Sequence, residues 1–151
     1  MKRSDRMAPV QRVLGNAEKD RARDVGSTQR QLEAAEEKLQ SLQQYHREYM
    51  QGFEQRARTG QTVMALRDYQ LFLARLQEAI RQQEQVVAQA REAVAASKQR
   101  WQSAAKQVKA VDSVVNRWVR AERQGADRQV QRDSDERAQR GAAVRAQGDR
   151  S

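Results

Sequence analysis

The chain has 151 residues, 38% of them hydrophobic and 32% charged, with a formal net charge of +9 and no cysteine. That is too little apolar material for a thick globular core, yet enough for the narrow seam of a coiled coil, so the length allows one domain or one rod. Without cysteine there is no disulfide framework and no thiolate chemistry, and a zinc site would lack its commonest ligand.

Residues 1–8 read as a flexible N-terminus. The opening MKRSDRMAPV is charged and lacks the apolar segment of a signal peptide. No apolar run approaches the ~20 residues of a membrane-spanning helix. The expectation is a reduced, cytoplasmic protein.

A first helix is predicted over 9–57. Pro9 suits its first turn, where the missing N–H costs nothing. Val25, Thr28, Leu32, Ala35, Leu39, Leu42, His46, Tyr49 and Phe53 recur in steps of three and four. Upstream, Leu14 and Val25 stand eleven residues apart with Arg21 on the seam, which reads as a stutter where a supercoil relaxes. Gly15 and Gly26 fall in the same region, each costing about 1 kcal/mol against alanine in a helix. The N-terminal third is therefore expected to be the looser part of this helix.

The pattern breaks at residues 58–62, where Gly60 can take the left-handed conformation that ends a helix and Thr62 can cap the next. A second helix is predicted over 63–124 and carries the strongest signal in the chain. Leu66, Tyr69, Leu73, Leu76, Ile80, Gln83, Val87, Ala90, Val94, Ser97, Trp101, Ala104, Val108, Val111, Val115 and Trp118 form one unbroken 4-3 seam. About seven heptads in phase make a helix that supercoils against a partner. Two such helices joined by a short loop form an antiparallel coiled-coil hairpin, an all-α fold. An arm of ~50 residues would span roughly 75–80 Å. Beyond Trp118 the seam is lost at Glu122, and residues 125–151 read as an Arg-rich tail that starts helical and frays.

The cationic surplus is uneven. Residues 1–30 hold eight cations and four acids, residues 117–151 nine and six, and the middle twelve and ten. A hairpin would bring the two basic ends together. That end either seeks an acidic surface or is a solvated helix face with i,i+4 pairs such as Glu54–Arg58, Asp133–Arg137 and Glu136–Arg140.

Catalytic patterns are missing: there is no phosphate-binding glycine loop, nucleophile elbow or HExxH pair. His46, the single histidine, falls on the seam and reads as a polar filler. Neighbouring carboxylates such as Glu36 and Glu37 point apart on a helix and cannot form an acid–base pair. No enzyme, cofactor or metal site is predicted. Leu71 and Phe72 fall off the seam and are expected to make an apolar patch near the loop, or else to widen the core. Trp101 and Trp118 read as seam fillers, not base-stacking platforms.

Leu39-x-x-Leu42-x-x-Tyr45-x-x-Glu48-Tyr49, a glycine-containing loop, then Tyr69-Gln70-x-Phe72-Leu73-x-x-Leu76-x-x-x-Ile80 resembles the FliJ family of the bacterial flagellar type III export apparatus. The resemblance covers essentially the whole chain. It implies an antiparallel coiled coil, similar to the central stalk of rotary ATP synthases. Such a stalk inserts into the hexameric ring of the flagellar export ATPase and promotes its activity. It also binds the cytoplasmic domain of the export-gate membrane protein and handles export chaperones. Matched by position, the gate-binding patch would comprise Tyr69, Gln70, Phe72, Leu76, Ala79 and Gln83, the last departing from a relative's histidine. The ends entering the ring would include Val10, Leu14, Val111, Val115 and Trp118. The implied location is cytoplasmic, at the inner-membrane face of the flagellar base. Alternatives are the equivalent stalk of a virulence secretion system, a nucleic-acid-binding coiled coil, and a homodimeric scaffold. No specific nucleic-acid partner is expected.

Overall fold

The structure is a computed structural model that describes residues 1–149. Its elements are α1 (Arg3–Arg6), α2 (Ala8–Arg58) and α3 (Val63–Asp149). The two long helices pack against each other as an antiparallel hairpin.

The turn is built as its residues require. The α2 C-terminus is closed by Gln61 N–H to Arg56 O (3.4 Å), with Thr59 Oγ1 donating to the same carbonyl (3.1 Å). Gly60 has φ +79°, a left-handed conformation that a side chain resists. Thr62 Oγ1 then accepts the Ala65 N–H at 3.2 Å and satisfies one orphan donor of α3.

The chain divides into two compact units, residues 17–104 and residues 1–16 with 105–151. On α2 the division falls inside the stutter between Leu14 and Val25, where Arg21 is exposed and paired with Asp24 at 3.6 Å.

In the unit containing the turn, the seam forms the core. Leu73, Val87 and Val94 are buried on α3, and Ala35 on α2. Two polar contacts lie among them. Gln83 Nε2 donates to Ala35 O (2.9 Å), and the hydroxyls of Thr28 and Ser97 share a hydrogen bond of 2.8 Å. Ser97, only 1% exposed, is the most deeply buried side chain among the described residues. Because its hydroxyl also donates to Val94 O, its polarity is satisfied. His46 fills the seam with its Nε2 buried and without a hydrogen-bond partner. Trp101 lies on the seam yet remains 36% exposed.

In the other unit Val115 is buried and Gln11 Nε2 donates to Asp112 at 2.9 Å. Residues 3–6, expected to be part of a flexible start, form the turn α1. The helix α3 continues past residue 124, where the coiled-coil segment was expected to end: the tail starts helical, as expected, and stays helical to Asp149. Gly125 and Gly141 lower helix propensity without forbidding it, no proline intervenes, and Ala, Arg, Gln and Glu are good helix formers. Of the predicted tail, residues 150 and 151 lie outside the described part.

Candidate partner-binding surfaces

Near the turn, every tyrosine and phenylalanine of the chain meets in one cluster. Tyr45 stacks on Tyr49 (6.0 Å between ring centroids), and Tyr49 packs on Phe72 (4.6 Å) and Tyr69 (5.5 Å). Phe53 stacks on Tyr69 at 5.7 Å, with the Arg56 guanidinium 5.2 Å over the same ring. Gly52 makes room: a Cβ there would meet the Tyr69 hydroxyl at 2.5 Å. The cluster crosses the hairpin, three rings coming from α2 and two from α3.

Its outer parts remain in solvent. Phe72 is 42% exposed, Leu71 53% and Tyr45 55%. Both expectations for Phe72 thus hold in part, since its ring lies on Tyr49 yet keeps an open face. Tyr69, Leu76 and Ala79 are partly covered, and Gln70 is exposed. Gln83 differs from these. It is buried and bonded to Ala35, so its amide serves the hairpin.

Around Trp118 a second surface forms. Asp112 holds Gln11 and so sets the stretch containing Val10 and Leu14 beside the one containing Val111 and Val115. Val10 is 41% exposed and Val13 66%. Pro9, Val10, Val13 and Leu14 line a small apolar groove. The Arg3 guanidinium lies 4.0 Å over the Trp118 ring, a cation–π contact. Glu122 accepts hydrogen bonds from Ser4 N–H (3.2 Å) and Ser4 Oγ (2.6 Å). The Ser4 hydroxyl, its N–H, and the nearby charges of Lys2 and Arg3 hold the Glu122 carboxyl below the usual glutamate range, against a smaller opposing effect of desolvation. This unit carries fifteen Lys and Arg against eight Asp and Glu, so most of the chain's positive excess sits in it.

Sequence periodicity missed two features. The aromatic cluster becomes visible once the hairpin is folded about residue 60, which sets Tyr49 opposite Phe72. The Ser4–Glu122 pair had no signal, because Glu122 reads only as a lapse in the seam. Among the described residues no group of three or more His, Cys, Asp or Glu side chains could hold a metal ion. No helix there is long and apolar enough to cross a membrane.

Comparison with curated proteins and with solved structures found no match. A family model described as the flagellar FliJ protein matches residues 2–147. With its paired helices and nearly complete coverage, the chain belongs to the FliJ family, coiled-coil adaptor proteins of flagellar type III export.

Proposed function

We propose that this protein is a non-enzymatic stalk of the flagellar export apparatus, bridging the export ATPase and the export gate. The observation that carries the reading is the aromatic cluster on a chain of this family. Five rings anchored in the hairpin leave Phe72, Leu71 and Tyr45 partly open. Anchored aromatics with one free face are the kind of residue that dominates interface energetics. On this reading Phe72, with Tyr69, Gln70, Leu76 and Ala79, meets the cytoplasmic domain of the gate protein. Gln83 contributes by holding α3 against Ala35.

The unit with the larger positive excess is the end that enters the ATPase ring, through Val10, Leu14, Val111, Val115 and Trp118. Its charge steers association with an acidic lining. Export chaperones are a further partner class, and the protein works at the cytoplasmic face of the inner membrane through its partners. Phe72→Ala is the test for the gate. Binding to the isolated cytoplasmic domain, measured by calorimetry, should weaken by about tenfold or more, as for truncation of an aromatic anchor. Unchanged affinity with retained helicity would remove this patch from the interface.

A further inference from the structure

Helix α1 is joined to α2 through Met7, which donates its N–H to Ser4 O (3.2 Å) and accepts the Gln11 N–H (2.9 Å). Four residues are too few to sustain a helix alone. Met7 separates it from α2. Its closure onto α3 is made by contacts beyond that backbone link, and these are specific. Ser4 is buried, and it gives both its N–H and its hydroxyl to Glu122. Arg3 covers one face of the Trp118 ring. Lys2, Ser4 and Asp5 close a small cleft against Val119, Glu122, Arg123 and Ala126. Glu122 stands where an apolar seam residue would have continued the coiled coil. A carboxylate there is useful only if something bonds it, and α1 supplies that partner.

We propose that α1 is a clasped cap over Trp118, hinged at Met7, which opens to offer the indole face to the partner that binds this end of the hairpin. The inference rests on the reading that Trp118 belongs to the ATPase-facing surface, and it adds a regulation to it. The Arg3 guanidinium occupies the ring face that an incoming arginine or apolar side chain would use. The closed state thereby competes with the partner, and the intrinsic affinity is reduced by the fraction of chains that are open.

The test uses the full chain with Trp101→Phe, so that Trp118 is the sole indole, and adds Ser4→Ala or Glu122→Ala. Loss of a hydrogen bond to a charged group should shift the cap roughly tenfold toward open. Acrylamide quenching of Trp118 should then rise. The concentration giving half-maximal stimulation of the export ATPase should fall, with circular dichroism unchanged. Quenching that stays the same overturns the cap. So does quenching that rises while the half-maximal concentration holds or climbs, because α1 would then be part of the contact surface. If the parent chain does not bind the ATPase, the stalk reading fails, and quenching alone decides the cap.

Discussion

Glu122 shows how one residue can be misjudged by periodicity. As a seam position it looks like a defect, yet its two bonds to Ser4 make it the anchor of the N-terminus. The sign of its pH dependence follows from its surroundings. The charged form is favoured in the folded chain by Ser4, Lys2 and Arg3, so the folded pKa lies below the unfolded one. Its contribution is present at neutral pH and is lost as pH falls through the folded value. The groups around it are Lys2, Arg3 and Asp5 on the N-terminal side and Arg123 on α3. Protection of the Ser4 amide in hydrogen exchange should accordingly decline on acidification below the usual glutamate range. In Glu122→Gln that pH-dependent loss should vanish. A Ser4 amide with the same acid profile in both proteins would contradict this assignment.

At the scale of the element, α3 separates buried from open positions by register alone. Leu73 lies on the seam and is 7% exposed, whereas Leu71, two residues away, is 53% exposed. Leu73→Ala should therefore cost about 2–4 kcal/mol of stability in urea unfolding, through lost burial and a cavity. Leu71→Ala should stay within about 0.5 kcal/mol. Equal losses would mean that the heptad register is misplaced. This part of the fold was legible because a period of three and four residues maps directly onto one helix face. Every buried side chain of α3, from Leu73 and Gln83 through Ser97 to Val115, is on the predicted seam. What periodicity could not supply was cross-helix chemistry. The Thr28–Ser97 bond, the Gln83–Ala35 bond and the five-ring cluster depend on which residues face each other, and that is set by the turn. The extent of α3 was also hidden, since its final residues have helical propensity without an apolar stripe.

At the scale of the molecule, two surfaces are developed, the five-ring cluster and the surroundings of Trp118. The aromatic cluster belongs to the unit with the turn, while Trp118 and most of the positive excess belong to the other. Family membership, over residues 2–147, ties the chain to flagellar export. The candidate sites were partly legible through the Tyr69–Gln70–Phe72 segment. The role given to the Trp118 end came from the resemblance, because a basic helix end by itself suits many acidic partners.

The most direct test of the stalk assignment is ATP hydrolysis by the purified flagellar export ATPase of the same organism, with and without this protein, alongside sizing of the mixture. Stimulated hydrolysis accompanied by a hexamer-sized complex containing the chain is the predicted result. Hydrolysis that is unchanged, with the chain eluting apart from the ATPase, would contradict the account.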